Sequence, residues 1–209
     1  AAIRLNPKLP EAFNLRGFVY EGQTKPELAL SEYAAAIEVD PTFAIAYFNR
    51  ANVFKKQREF DKALAEYATV IVAVPSSMSK ARLARAEVFR LQKQFDNASA
   101  EYKALIELDP TNDQAFFARA GMLRDQGKRD ESLKDYDQAA KLKPQNASYI
   151  LWRGIIRYEL KDPETAWADF TEAIRLDPNN EFAFGNRGHI HRDRGQLAEA
   201  IRDYSEAIR

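Results

Sequence analysis

Cysteine is absent from the 209 residues, which excludes thiolate catalysis, cysteine-ligated zinc and disulfides and leaves the redox compartment open. Net charge is absent too: 31 Lys and Arg balance 31 Asp and Glu, so no long-range field draws the chain to nucleic acid or anionic lipid, and no nucleic-acid partner is expected. No apolar run approaches the roughly 18 residues needed to span a bilayer, and the opening AAIRLNPKLP lacks the apolar centre of a signal peptide. A soluble chain without membrane insertion is expected, with the cytoplasm favoured. Histidine occurs twice and glycine eight times, with no glycine-rich phosphate loop, so no cofactor or metal is expected. What is abundant is apolar and aromatic content, 45% and 11%, enough to bury a sizeable core.

The proline positions organise the chain. Pro7, Pro41, Pro75, Pro110, Pro144 and Pro178 are separated by 34, 34, 35, 34 and 34 residues, and most close a similar phrase, such as AIRLNP, AIEVDP, LIELDP and AIRLDP. With proline at position 32, full repeats occupy 10–43, 44–77, 79–112, 113–146 and 147–180, a truncated sixth occupies 181–209, and 1–9 is the end of a preceding repeat. Position 8 is small throughout (Gly17, Ala51, Ala86, Ala120, Gly154, Gly188), as is position 20 (Ala29, Ala63, Ala98, Ser132, Ala166, Ala200). Position 24 is always aromatic: Tyr33, Tyr67, Tyr102, Tyr136, Phe170 and Tyr204.

Apolar residues recur at helical spacing on both sides of a polar break in each repeat, so each repeat reads as two antiparallel helices; strand signals are absent. Gly127 and Gly195 suit the left-handed end of a first helix, and Asp162-Pro163 reads as an N-cap followed by first-turn proline. Position 7 is arginine in all six repeats and position 23 is acidic in all six: Arg16 and Glu32, Arg50 and Glu66, Arg85 and Glu101, Arg119 and Asp135, Arg153 and Asp169, Arg187 and Asp203. A hairpin turning near positions 15 and 16 brings these side by side, which predicts a ladder of Arg-carboxylate bridges. The alternative, both sets pointing to solvent, would leave each pair contributing only about 0 to 1 kcal/mol.

The spacing and residue classes at positions 4, 8, 11, 20, 24, 27 and 32 resemble the tetratricopeptide repeat (TPR), in a bacterial-type array of about six repeats covering essentially the whole chain. The resemblance implies an all-α, right-handed solenoid of helix-turn-helix units forming a single array over 1–209. Departures are Arg82 at position 4, Arg157 at position 11 and Val74 before Pro75; Met78 is one extra residue, and with Ser76-Ser77 it predicts a local bend.

The resemblance also implies a groove lined by positions 2, 5, 6, 9, 12 and 13 of the first helices. Those positions give an apolar and aromatic set, Phe18, Ile45, Phe48, Leu83, Phe117, Leu151, Trp152, Ile155, Tyr158 and Phe182, beside Asn14, Asn49, Asn52, Asn186 and His189. Position 12 adds the cations Lys55, Arg90, Arg124 and Arg192, read either as a basic rail for an acidic guest or as complements to helix dipoles. The Lys and Asn order of the family's carboxylate clamp is not reproduced in any three consecutive repeats.

His191-Arg192-Asp193 imitates a kinase catalytic loop, but Ala198 stands where that loop carries Asn, and the stretch falls on a first helix. His189 and His191 are two apart on that helix, ~200° around its axis, so they cannot address one metal ion. Three function classes follow: a non-catalytic scaffold binding a peptide or partner segment, a self-association module using exposed array ends, or the TPR region of a larger enzyme. Catalysis within these residues is not expected, nor is single-strand RNA binding of the kind seen in related 35-residue repeats.

Overall fold

The computed structural model describes residues 9–73 and 78–209. Among these there are twelve helices and no strand. They run α1 (Pro10–Gly22), α2 (Pro26–Val39), α3 (Ala44–Lys56), α4 (Phe60–Ala73), α5 (Met78–Leu91), α6 (Phe95–Leu108), α7 (Asp113–Asp125), α8 (Arg129–Leu142), α9 (Ala147–Glu159), α10 (Pro163–Leu176), α11 (Glu181–Asp193) and α12 (Leu197–Ile208). No described helix is long and apolar enough to cross a membrane. The chain forms two compact units, Ala1–Leu105 and Ile106–Arg209, with the boundary inside α6. Three helix pairs fall in each, counting α5 with α6 in the first. The irregularity expected at Ser76 and Ser77 lies outside the described residues, while Met78 opens α5.

Every hairpin turns in the same way. The residue at position 15 adopts a left-handed conformation: Thr24, Arg58, Lys93, Gly127, Lys161 and Gly195, with φ of 56°, 62°, 59°, 77°, 67° and 75°. The next amide then reaches back six residues to the helix, as in Lys25 N–H to the Tyr20 carbonyl at 3.0 Å and Lys128 N–H to Leu123 at 2.9 Å. This closing bond satisfies a carbonyl that the helix end would otherwise leave open. Glycine occupies position 15 twice, as the sequence predicts, and the other four residues adopt the same φ at a steric cost. The second helix starts at once, and in α10 the Asp162 carboxylate accepts from Thr165 N–H at 3.2 Å ahead of Pro163.

Inside each hairpin the small residues of positions 8 and 20 meet the position-24 ring. In the first unit Tyr33, Tyr67 and Tyr102 are at most 1% exposed, and in the second so are Tyr136 and Phe170. Burying each such ring contributes on the order of 2 kcal/mol. The approach is close enough that a Cβ added to Gly17 would stand 2.7 Å from the Tyr33 ring. In the second unit Ser132 Oγ bonds the Ala120 carbonyl at 2.8 Å across the same contact.

Stacking within a unit uses position 10, a regularity the sequence reading passed over. Val53 packs among Ala29, Leu30 and Tyr33 of the preceding hairpin, and Val88 among Ala63, Leu64 and Tyr67. In the second unit Ile156 packs with Leu133 and Tyr136, and Ile190 with Ala166, Trp167 and Phe170. None of these four exceeds 1% exposure.

The predicted Arg-carboxylate ladder forms in all six hairpins. Arg16 meets Glu32 at 2.7 Å and Arg50 meets Glu66 at 2.6 Å, and Arg85 pairs with Glu101. Arg119 meets Asp135 at 2.6 Å, Arg153 meets Asp169 at 2.6 Å and Arg187 meets Asp203 at 2.7 Å. The rungs differ by unit. The three Arg–Asp rungs are forked, as with Arg119 Nε and Nη2 on Asp135 at 2.6 and 2.8 Å. The longer glutamates are met through one guanidinium nitrogen, leaving Arg50 Nε and Glu66 Oε2 buried without a partner.

Both departures from the repeat pattern resolve on this ladder. Where position 4 is aromatic, the ring lies beside the position-7 arginine, with Phe13, Tyr47, Phe116 and Phe184 at 5.6 to 5.8 Å from Arg16, Arg50, Arg119 and Arg187. Arg82 replaces that ring in the third repeat and bonds Glu101 at 2.9 Å as a second cation. In the fifth repeat Ile150 replaces the ring, and Arg157 supplies the second cation to Asp169 at 2.9 Å.

Candidate functional site

The candidate surface is the set of inner positions on the first helices, taken unit by unit. In the first unit, Phe18 on α1 and Ile45 on α3 are 64% and 53% exposed. Phe48, one turn along from Ile45, is half-buried because its ring packs on Tyr67 at 5.7 Å. Between α3, the end of α4 and the start of α5 lies a cleft of about 260 Å³, lined by Ala44, Ile45, Phe48, Val70 and Lys80. Lys80 is exposed at its mouth, so the cleft combines an apolar floor with a cation at the edge. Leu83 and Arg90 on α5 are half-buried.

The asparagines serve the chain itself. Asn49 Nδ2 donates to Asn14 Oδ1 at 2.9 Å, tying α3 to α1, and Asn14 is only 8% exposed. Asn52 accepts the Tyr67 hydroxyl at 2.7 Å, so the polar end of a buried ring is satisfied at the groove floor. Burial first, then the nearby Glu87 carboxylate, pushes the Tyr67 phenol well above its ordinary range. Asn14 is therefore corrected from a guest-facing residue to a buried link between first helices.

In the second unit, Phe182 on α11 is 65% exposed, and Asn186 bonds its carbonyl at 2.8 Å one turn away. His189 is exposed and sets its ring edge against Tyr204 at 5.5 Å. Leu151 requires correction: it is 6% exposed and packs in the core with Ile150, Ala166 and Phe170, because the α9 face at position 5 turns towards the helix pair. Phe117 is half-buried between Tyr136 at 5.4 Å and Tyr149 at 4.6 Å. Trp152 is half-buried with Arg124 over its ring at 4.3 Å, while Ile155 and Tyr158 are partly buried against the α9–α11 core.

The basic rail is neutralised where partners are resolved. Lys55 bonds Glu87 at 2.5 Å, Arg124 bonds Asp125 at 3.1 Å, and Arg192 bonds Asp193 at 2.7 Å. Arg90 is also engaged within the chain. Position 12 thus neutralises nearby carboxylates and does not present a row of open cations.

A second cleft, about 340 Å³, opens in this unit among Tyr158, Lys161, Pro163, Glu164, Ile190, Asp193 and Arg194. Tyr158 donates to Asp193 at 2.6 Å and Arg194 meets Glu164 at 2.6 Å across its rim. The bond to Asp193, then burial, raises the Tyr158 phenol, and the Tyr158 and Arg192 bonds hold the Asp193 carboxyl below its ordinary range. Sequence reasoning reached only Tyr158 here, because the cleft arises from the turn linking α9 to α10. No group of three or more His, Asp or Glu able to hold a metal occurs among the described residues. His191 is half-buried, taking the Trp167 indole N–H at Nε2 at 3.4 Å, with Nδ1 at 2.7 Å from Gln196.

Helix pairs of this spacing, turned and stacked in this way, match one family in sequence. The tetratricopeptide repeat profile aligns with residues 15–77, 48–113 and 117–181, and a second profile of the same family with 183–209. The chain belongs to the tetratricopeptide repeat family. Among solved structures, a TPR protein from Parabacteroides merdae ATCC 43184 aligns at 20% identity over 99% of this chain and 82% of that one, with a TM-score of 0.74. YrrB, described as a TPR protein with an unusual peptide-binding site, aligns at 21% identity over 87% of this chain and 93% of its own, at 0.59. MamA aligns at 17% identity over 76% of this chain and 92% of its own, at 0.65. Such identities speak for a shared TPR solenoid fold alone. No curated protein matches the chain.

Proposed function

We propose that this TPR protein is a non-catalytic interaction scaffold whose first helices bind a peptide or a segment of a partner protein, reading residues 1–209 as one array. The observation that carries the reading is selective exposure. The position-24 rings Tyr33, Tyr67, Tyr102, Tyr136 and Phe170 are withdrawn to 1% or less, yet Phe18, Ile45 and Phe182 stand 53% to 65% open at inner positions. An apolar ring without a packing role in its own hairpin is the usual mark of a contact surface. The first unit adds a cleft whose apolar floor and lysine rim suit a large apolar side chain next to a carboxylate. The peptide-binding site described for YrrB supports the same class of partner.

The test begins with display of a random peptide library against the immobilised chain, followed by affinity measurement of a selected peptide by fluorescence anisotropy. Changing Phe18, Ile45 and Phe182 together to Ser should weaken binding by tenfold or more, about 1.4 kcal/mol, with helix content unchanged. Equal affinity in the folded triple variant, or failure of the library to yield a binder, would refute the assignment.

A further inference from the structure

The stacking rule inside each unit leaves two faces uncovered, and they are complementary. Position 10 of a first helix normally inserts between positions 20, 21 and 24 of the hairpin before it, as Val53 does on Ala29, Leu30 and Tyr33, and Ile190 on Ala166, Trp167 and Phe170. On α1 the same position is Val19, and it is 54% exposed where Val53, Val88, Ile156 and Ile190 are at most 1%. Leu15 lies one turn earlier at the position of Trp152, and it is 64% exposed. On α12 the receiving side is open: Ile201, at the position of Leu30 and Trp167, is 65% exposed. Ile208, at the position where Ile174 joins the core, is 86% exposed. Tyr204 is the only position-24 ring that remains partly open.

We propose that a second copy of this chain fills the α12 face, placing its own α1 there with Val19 between Ile201 and Tyr204 and Leu15 alongside. The occupant is chosen by the chain's own packing. The contact joins a β-branched position-10 side chain to an alanine, a bulky aliphatic and a ring, the combination buried in the Val53 and Val88 contacts. Because the two faces differ, the contact is heterologous and propagates head to tail. It goes beyond the groove reading and does not depend on it.

Sedimentation velocity of the 209-residue chain over a concentration series tests the proposal. Mass should rise with concentration in the parent protein. Val19→Asp and Ile201→Asp should each weaken association by tenfold or more while leaving the circular dichroism unchanged, and Ile201→Ala should give a smaller loss in a variant with no added charge. The deciding measurement is a mixture. The Val19→Asp chain keeps a sound α12 face and the Ile201→Asp chain a sound α1 face, so together they should form a one-to-one complex that grows no further. A parent chain that stays monomeric would assign the face to another polypeptide segment and overturn the proposal. So would single variants that associate like the parent, or a mixture that remains monomeric.

Discussion

Asp169 is where the ladder can be tested hardest. Its carboxylate is 4% exposed and takes Arg153 at 2.6 and 3.0 Å and Arg157 at 2.9 Å. Asp169→Ala would leave two guanidinium groups facing a withdrawn site. Removing one partner of a buried pair costs about 3 to 5 kcal/mol. The arginine side chains are 21% and 22% exposed and both approach Asp137, at 3.6 and 3.1 Å, so water and a second carboxylate recover part of that loss. The expected cost lies at the lower end, about 3 kcal/mol. The internal control is Glu172, whose forked bonds to Arg175 at 2.7 and 2.8 Å are as short but lie on the surface. Glu172→Ala should leave stability within error. Urea unfolding supplies the totals, and hydrogen exchange should show protection lost chiefly in α9 and α10, since repeat arrays open locally. A cost for Asp169→Ala below about 1 kcal/mol would refute the argument that burial, and not bond length, sets the worth of a rung.

Three further outcomes follow from local geometry. Lys93→Gly should stabilise the chain by up to about 1 kcal/mol in urea unfolding, because Lys93 holds a φ of 59° that glycine adopts freely. Gly17→Ala should destabilise by about 1 to 3 kcal/mol in the same assay, since the new methyl would enter the Tyr33 ring at 2.7 Å. Tyr158→Phe should raise the Asp193 pKa, followed by carboxyl carbon NMR; the depressed value in the parent means the Tyr158 bond adds stability above the ordinary carboxylate range and loses it as pH falls through that value.

The sequence reading succeeded where a physical requirement recurs at one position in every repeat. A ring at 24 needs small neighbours at 8 and 20, and an arginine 16 residues before an acid needs only the hairpin turn to meet it. The groove was harder to read because inner positions serve two purposes. Phe48 and Phe117 occupy groove positions by number, yet each leans on the buried ring of its own hairpin, Tyr67 or Tyr136. Asn14 and Asn52 occupy polar groove positions, yet one ties two first helices together and the other satisfies a tyrosine hydroxyl. Residue class does not distinguish these uses; the direction of the side chain does. Position 10 shows the converse, being apolar in all six repeats and so indistinguishable in sequence from any other helix-face residue until its neighbours are known.

The exchange at position 4 shows how the scaffold tolerates change while keeping its rungs. A ring beside the position-7 arginine covers one face of the guanidinium and lets a single carboxylate on the other side complete its environment. When the ring is replaced, by Arg82 in the third repeat or Ile150 in the fifth, the carboxylate draws a second arginine from one turn away. The donor differs, position 4 in one case and position 11 in the other, but both deliver a cation to the acid at position 23. The acid is therefore the fixed point of each hairpin, and the groups around it are interchangeable solutions to keeping a charge paired beside the core. Arg157, which reads in sequence as the loss of a packing aromatic, is in three dimensions the compensation for Ile150. Arg157→Phe alone should accordingly destabilise the fifth repeat, and Ile150→Phe in the same chain should recover part of the loss, a coupling that double-variant urea unfolding would measure and that independent sites would not show.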